Sequence, residues 1–315
     1  MAERQAGGTD VQDRRRRGTS RGPILALRPT DAPDRIAWHE GRATIGALVR
    51  LATIAGDLQI AGAYPGLAAA AGGLATPQIR AVATTGGGLL QRTRCWYFRD
   101  PEVSCFKKGG TTCPARDGDH TFGVCFDLGP CVWPHPSTLG VALMAYEAEV
   151  TCEPGGTMPI GNLFGDGSDP TRDHTLTDSQ ILTSVTLGQA VPGERAGYLR
   201  IIGRQLAEWP LVEAVVRLVV EDGRITFARV AIGAVATVPL RLVDLEDAMI
   251  GSPADPAAVE RLAANTVRAS RTLEATRYKL ELIPVAIADT VAKALASGSS
   301  PDAFQSSWAL PWTSR

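Results

Sequence analysis

Two separate glycine clusters constrain most strongly what this chain can fold into. The first, residues 5–11, reads QAGGTDV, and the second, residues 83–88, reads ATTGGG. Adjacent glycines let the backbone approach an anion closely and turn its N–H groups toward phosphate oxygens. Either cluster alone is also typical of an ordinary turn, but the two together could hold the two ends of one pyrophosphate. Neither has the GxGxxG or GxxxxGK[ST] spacing, which argues against a Rossmann or nucleoside-triphosphate site.

The cysteines are concentrated in one loop-like segment, residues 91–134. It contains five of the six: Cys95, Cys105, Cys113, Cys125 and Cys131. A loop this long inside a compact domain needs a function or a ligand to order it. In a large chain without a secretory signal, metal binding or redox chemistry explains such clustering better than disulfides do. No CxxC or CxxH pair favours zinc, whereas an iron-sulfur cluster tolerates wider spacing; buried free thiols and disulfides remain alternatives.

Charge and hydropathy exclude several classes of function. Lys and Arg total 32 against 33 Asp and Glu, so the balance favours neither a nucleic acid nor an anionic membrane as the partner. The one strong local excess, Arg14 to Arg17, is typical of a solvated loop. No apolar run reaches the roughly 18 residues of a membrane span. The first residues lack the apolar core of a secretory signal, which predicts a cytoplasmic protein, or a periplasmic one if it is exported with a partner.

Local patterns predict a mixed α+β chain. The segment 23–27 is strand-like, and 42–46 predicts a strand that leads into a helix. Capped helix starts are predicted at Thr76, which precedes a proline, and in the segment 252–256, which reads SPADP. Asp-Gly at 222–223, between two alternating apolar runs, favours a type I′ hairpin. We find no GxSxG elbow and no nucleophile-base pair, so nothing supports a hydrolase.

The segments AGGTD, ATTGGGLLQRTRCWYFRDP, CVWPHPS and PGERAGYLR follow one another along the chain. In this order they resemble the FAD-binding subunits of the xanthine dehydrogenase and carbon monoxide dehydrogenase family of molybdenum hydroxylases. The resemblance covers nearly the whole chain and is strongest to the FAD subunits of bacterial aldehyde oxidoreductases and 4-hydroxybenzoyl-CoA reductase. It implies an α+β fold in which two FAD-binding subdomains (PCMH type) precede a C-terminal α+β domain with a small antiparallel sheet and helices.

The resemblance also implies domain bounds. The first FAD-binding subdomain would span 1–45 and begin almost at its glycine cluster, which makes it shorter than is usual in the family. The second would span 46–190 and carry the cysteine insertion at 91–134. The C-terminal domain would span 191–298, followed by a tail at 299–315.

Family resemblance further implies which residues contact FAD. Along the pyrophosphate and ribityl chain these are Gln5, Ala6, Gly7, Gly8, Thr9, Asp10 and Val11, and on the other side Ala83, Thr84, Gly87, Gly88 and Leu90. Ser137 and Thr138 match a Ser-Asp pair near the cofactor, Ile181 an apolar flavin contact, and Arg200 a basic residue near the flavin. Gly88 stands where the family usually has Asn and Thr138 where it has Asp, so two polar anchors are missing.

In the aldehyde oxidoreductase and 4-hydroxybenzoyl-CoA reductase relatives, a QRTRC-like segment opens an insertion that carries a 4Fe-4S cluster. The implied ligands here are Cys95, Cys105, Cys113 and Cys131. Cys125 lies in an apolar run and is expected not to be a ligand, and Cys152 lies outside the insertion.

The implied partners are two further subunits of a heterotrimer. A large molybdopterin-binding subunit would oxidise the substrate, and a small subunit with two 2Fe-2S clusters would pass electrons to this chain, whose flavin would deliver them to an external acceptor. No catalytic acid or base is expected here, because the flavin carries the redox chemistry. Two alternatives are a degenerate scaffold subunit that has lost FAD and a free-standing flavoenzyme of the berberine-bridge type.

Overall fold

The computed structural model describes residues 3–203, 208–269 and 271–297; the tail expected at 299–315 lies outside them. The strands of the described residues are β1 (Glu3–Gln5), β2 (Ile24–Ala26), β3 (Ile36–His39), β4 (Arg42–Gly46), β5 (Glu149–Glu153), β6 (Gly156–Pro159), β7 (Ile181–Thr186), β8 (Arg195–Ile201), β9 (Val212–Glu221), β10 (Arg224–Gly233) and β11 (Leu240–Arg241).

The helices of the same residues are α1 (Thr9–Arg16), α2 (Leu51–Gly56), α3 (Leu58–Ala63), α4 (Pro65–Gly73), α5 (Pro77–Arg80), α6 (Thr85–Leu89), α7 (Trp96–Arg99), α8 (Pro114–Asp117), α9 (Thr138–Ala145), α10 (Ile160–Phe164), α11 (Val243–Met249), α12 (Pro256–Thr266) and α13 (Tyr278–Ser297). Short 3₁₀ helices lie at Phe106–Lys108 and Glu274–Thr276. None of the helices within the described ranges is long and apolar enough to cross a membrane.

The strands form three sheets. β1 and β2 pair in parallel, five strands follow the order β3-β4-β7-β5-β6, and four follow the order β11-β10-β9-β8. Both larger sheets are antiparallel. The predicted α+β fold with a C-terminal antiparallel sheet is therefore confirmed. Because β3 and β4 pair into the five-stranded sheet, that sheet begins before the boundary expected at residue 45.

The β9-β10 hairpin confirms the turn expected from Asp-Gly. Asp222 has φ 48° and Gly223 has φ 73°, so both central residues adopt the left-handed conformation that a type I′ turn requires. The two strands pair from Glu221 and Arg224 onward. Helix α13 packs across β8 and β9, and this sheet and helix hold the C-terminal core.

The basic run at 14–17 is not the solvated loop that its charge predicts. Its first three arginines form the last turn of α1, and Arg14 is buried against Asp10 and Glu3. Arg17 is exposed and pairs with Asp13 at 3.2 Å. The run of charges could not predict this burial, because it depends on Asp10, one turn earlier in α1, and on Glu3 in β1.

Candidate functional site

Two cavities meet at the glycine clusters. The larger has a volume of about 520 Å³ and the smaller about 300 Å³. Thr9, Gly87 and Gln91 line both, so the two are neighbours across these residues. Together they form the elongated, mostly preformed space that a dinucleotide cofactor requires.

These cavities collect nearly all the residues predicted to contact FAD. The smaller cavity is lined by Gln5, Ala6, Gly7, Gly8, Thr9, Asp10, Val11, Thr84, Gly87, Leu90 and Ile181. The larger cavity is lined by Thr9, Ala83, Gly87, Gly88, Thr138 and Arg200. Ser137 lines neither, because its hydroxyl accepts a hydrogen bond from the Gly140 N–H at 2.9 Å and caps α9. The contacts of these residues with FAD stay predictions.

Gly7 and Gly8 are required for different reasons. Gly8 has φ 77°, a conformation that glycine adopts without strain, and it precedes α1. At Gly7 the limit is space, because a Cβ there would overlap the carbonyl oxygen of Val82. The backbone of the first cluster therefore lies directly against the segment that leads into the second.

The second glycine cluster is helical. The Thr84 hydroxyl accepts a hydrogen bond from the Gly87 N–H at 3.2 Å and caps α6, while the Gly86 N–H donates to the Ala47 carbonyl at 2.8 Å. The glycines are thus held in a fixed turn of helix. A Cβ at Gly88 would meet only Leu139 Cδ2, at 3.8 Å, so this position is open.

We expect Gly88→Asn to tighten FAD binding. Gly88 is not among the positive-φ glycines, so Asn is not strained there. One added hydrogen bond contributes about 1 kcal/mol, roughly fivefold in Kd. Titration of the apo-protein with FAD measures it, and Gly88→Ala controls for the backbone. Binding by Gly88→Asn that is no tighter than by Gly88→Ala would contradict the expectation.

Asp10 is the centre of a buried ion cluster. Its carboxylate accepts hydrogen bonds from Arg99 Nη2 at 2.7 Å and Arg14 Nε at 2.9 Å, and Arg94 Nη2 lies at 3.3 Å. Burial acts to raise the pKa of Asp10, but Arg94, Arg99 and Arg14 outweigh it and lower the pKa below its ordinary value. Asp10 thus ties the first glycine cluster to the segment around Cys95, a role that the sequence did not indicate.

Arg200 on β8 lines the larger cavity, and its cross-strand neighbour Glu213 on β9 lines an adjoining cavity instead. Glu213 is buried, and its Oε2 accepts hydrogen bonds from Thr138 Oγ1 at 2.7 Å and the Tyr198 hydroxyl at 3.1 Å. The Nη2 atom of Arg200 is buried and has no hydrogen-bond partner in the part of the chain that the structure describes. Such an orphaned donor at a cavity wall fits an acceptor atom of a bound cofactor.

Two residues of this site were not predicted from the sequence. Gln91 lines both cavities and donates hydrogen bonds to the carbonyls of Gly88 at 2.9 Å and Pro136 at 3.3 Å. It lies three residues after the second glycine cluster, a proximity that could have drawn attention to it. Glu213 and Arg217 are buried charged residues in the mostly apolar strand β9, and charges within such a run signal buried polar contacts.

The structure brings the four predicted cysteine ligands together. Cys95, Cys105, Cys113 and Cys131 line one small cavity and belong to one small core. Cys125 lies apart from them in the core of the C-terminal domain, where its backbone N–H donates to the Val235 carbonyl. The division into four and one is the one expected from the sequence, while the role of the four stays a prediction.

No cluster site is preformed among these thiols. Their cavity measures about 20 Å³, roughly room for one water, so they would have to move apart to take a cluster. Within the described residues no group of three or more His, Cys, Asp or Glu is placed to hold a metal ion.

All six cysteines are free, so the disulfide alternative is not found. A hydrogen bond from Cys131 lowers the pKa of Cys113 to about 6, and burial raises the pKa of Cys95 to about 12.

Comparison with known proteins decides the family. Residues 2–189 match the FAD binding domain in molybdopterin dehydrogenase, and residues 197–282 match the CO dehydrogenase flavoprotein C-terminal domain. The chain belongs to this family of FAD-binding subunits. Over 263 residues, this FAD-binding subunit is 32% identical to the aldehyde oxidoreductase FAD-binding subunit PaoB of Escherichia coli K12, with 81% of this chain and 79% of PaoB covered. The family and the two cavities together support FAD binding.

Solved structures share the fold of this FAD-binding subunit. A carbon monoxide dehydrogenase from Hydrogenophaga pseudoflava that lacks the Mo-pyranopterin moiety aligns with a TM-score of 0.69 at 18% identity, covering 94% of this chain and 90% of that chain. Quinoline 2-oxidoreductase from Pseudomonas putida 86 aligns with a TM-score of 0.69 at 17% identity, covering 95% and 91%. At these identities the likeness shows the fold alone.

Proposed function

We propose that this FAD-binding subunit is the electron-output subunit of a heterotrimeric molybdenum hydroxylase of the xanthine dehydrogenase type. A large molybdopterin-binding subunit oxidises the substrate, a small subunit with two 2Fe-2S clusters delivers the electrons, and this chain passes them to an external acceptor. The observation that carries the proposal is the pair of glycine clusters lining two adjoining cavities. PaoB, a relative by sequence, is named as one subunit of an aldehyde oxidoreductase.

The residues that would hold FAD contribute to its binding in different ways. Gly7, Gly8 and Gly87 let the backbone approach the pyrophosphate, because a side chain at any of them would meet strain or a neighbouring atom. The Nη2 atom of Arg200, which has no hydrogen-bond partner among the described residues, offers a cationic donor in a residue that lines the larger cavity. Bound FAD supplies the redox chemistry, and the protein sets its position and electrostatics.

We further propose that the cysteine insertion takes a 4Fe-4S cluster on Cys95, Cys105, Cys113 and Cys131. The support is the donor set: four thiols face one cavity, and a fifth, Cys125, is packed elsewhere. Iron-sulfur clusters of this type use four thiolates. The compartment, cytoplasm or periplasm by co-export with a partner, stays a prediction.

The alternative is a scaffold subunit of the same complex that has lost FAD. Gly88 and Thr138 favour it, since both stand where the family has polar anchors. Two observations on the described residues argue against it: the Nη2 atom of Arg200 has no hydrogen-bond partner among them, and the face of Gly88 is open. A site that had lost its ligand would be expected to fill with side chains.

Purification of the tagged chain under mild conditions tests the assembly. We expect it to bring down a large molybdenum-containing subunit and a small subunit with 2Fe-2S signals, and we expect substrate to bleach the flavin absorbance of the complex anaerobically. Isolation of the chain alone, or substrate reduction of the iron centres without bleaching of the flavin, would contradict the proposed function.

A further inference from the structure

Thr138, which lines the larger cavity, is hydrogen-bonded to the buried carboxyl group of Glu213, which the proposed electron transfer leaves unused. We propose that Glu213 is the proton-holding residue of this subunit and exchanges a proton with the larger cavity through the Thr138 hydroxyl when the flavin there changes its redox state. This inference rests on the proposed function and deepens it by naming a residue that couples protons to the electrons.

The geometry places the carboxyl between two cavities. Thr138 lines the larger cavity, and its Oγ1 lies 2.7 Å from Glu213 Oε2. Glu213 itself lines a third cavity of about 480 Å³, whose walls include Trp133 and Trp209 and which is called the tryptophan cavity below. A hydroxyl is both donor and acceptor, so the hydrogen bond between Thr138 and Glu213 can reverse and carry a proton from one side to the other.

The residues that face the Glu213 carboxyl group lie on several elements packed around it. Strand β8 contributes Tyr198 and Arg200, α9 contributes Thr138, and β10 contributes Gly233, which has no side chain and leaves room for Oε1. Helix α4 carries no titratable residue.

Other charged groups are more distant. The further titratable residues around the tryptophan cavity are Arg94, His135 and Glu208. Helix α13 packs on the opposite face of the sheet, with Val212 and Ala214.

Electrostatics suit a group that gains and loses a proton near neutral pH. Burial raises the pKa of Glu213 to about 7, against the hydrogen bonds from Thr138 and Tyr198 and the charge of Arg200, which lower it. The neighbouring guanidinium would stabilise the carboxylate left after proton release. A proton carrier works best with a pKa close to the working pH.

The proton balance is simple. Two-electron reduction of bound FAD would consume at least one proton, and the electrons would come from the small subunit of the proposed complex. Glu213 would give up this proton through the Thr138 hydroxyl and become a carboxylate beside Arg200. On reoxidation the proton would return by the same route, so that Glu213 is protonated again at the end of the cycle.

The test uses the purified complex with Glu213→Gln, which keeps the shape and the acceptor oxygen of the side chain but cannot titrate. In reduced-minus-oxidised infrared spectra of the wild type we expect a protonated-carboxyl band near neutral pH, and we expect its loss in Glu213→Gln. The flavin midpoint potential should change its pH slope near pH 7 in the wild type and keep one slope in the variant. Tyr198→Phe, which keeps the carboxyl, should retain the band at a shifted position.

Flavin content and bleaching by substrate are measured on the same samples. A band and a pH slope unchanged in Glu213→Gln, with normal flavin, would overturn the role of Glu213 alone. Wild-type complex without reducible flavin would overturn the proposed function itself. If Glu213→Gln does not fold, Thr138→Val is the second variant: with the spectra normalised to the flavin present, it should remove the redox-linked band, and an unchanged band per flavin would contradict the relay.

Discussion

Replacement of Asp10 by asparagine is expected to lower the free energy of unfolding by about 3–5 kcal/mol, the cost of removing one partner from a buried ion pair. The substitution leaves Arg14, Arg94 and Arg99 without the carboxylate on which they converge. We also expect loss of FAD, because these contacts hold the first glycine cluster against the cysteine segment. Urea unfolding followed by tryptophan fluorescence measures the stability, and flavin content measures the binding.

Asp13→Asn is the matched control. Asp13 also pairs with Arg99, at 2.6 Å, but its side chain is 38% exposed, so we expect a loss of about 0–1 kcal/mol. The pKa of Asp10 is lowered in the folded protein, so its stabilisation is present above its ordinary pKa of 3.8 and is lost as the pH falls below that. The difference between wild type and Asp10→Asn should therefore shrink below pH 3.8. Equal losses in the two variants would mean that burial of the cluster does not matter.

Serine substitutions in the cysteine insertion should divide the five residues into two classes. We expect Cys95→Ser, Cys105→Ser, Cys113→Ser and Cys131→Ser each to abolish the 4Fe-4S signal, since serine is a poor replacement for a thiolate ligand. Cys125→Ser is the matched control and should keep the cluster, because Cys125 packs in the C-terminal core instead. Iron content and low-temperature electron paramagnetic resonance of the reduced complex measure the outcome.

Two results would contradict this assignment of ligands. Loss of the signal in Cys125→Ser with retention in Cys131→Ser would show that the wrong four cysteines were chosen. Wild-type iron content in all five variants would remove the cluster from this chain, and the small core around Cys113 would then be a set of packed free thiols.

Local rules predicted the elements whose cause lies within a few residues. Thr76 caps α5 through the Ile79 N–H at 3.3 Å, as the sequence indicated. Within the predicted capping segment 252–256, Asp255 is the residue that caps α12, through the Ala258 N–H at 2.9 Å. The Asp-Gly hairpin followed from φ preferences alone. The glycine clusters could be recognised because few other residues tolerate the required backbone geometry and close approach.

Features set by distant partners could not be predicted. Arg14 is buried because Asp10 and Glu3 neutralise it, and Asp10 in turn meets Arg99, which lies far along the chain. Thr138 was interpreted as a weakened cofactor anchor, yet its hydroxyl serves Glu213 on another domain's strand. Such pairings depend on tertiary packing, and no local pattern encodes them.

The central claim is that this chain binds FAD, and acid release of the cofactor from the purified complex tests it most directly. The extract should contain FAD at close to one per chain, identified by its fluorescence and chromatographic position. A folded chain, still bound to its partner subunits, that releases no flavin would contradict the account and favour the scaffold alternative.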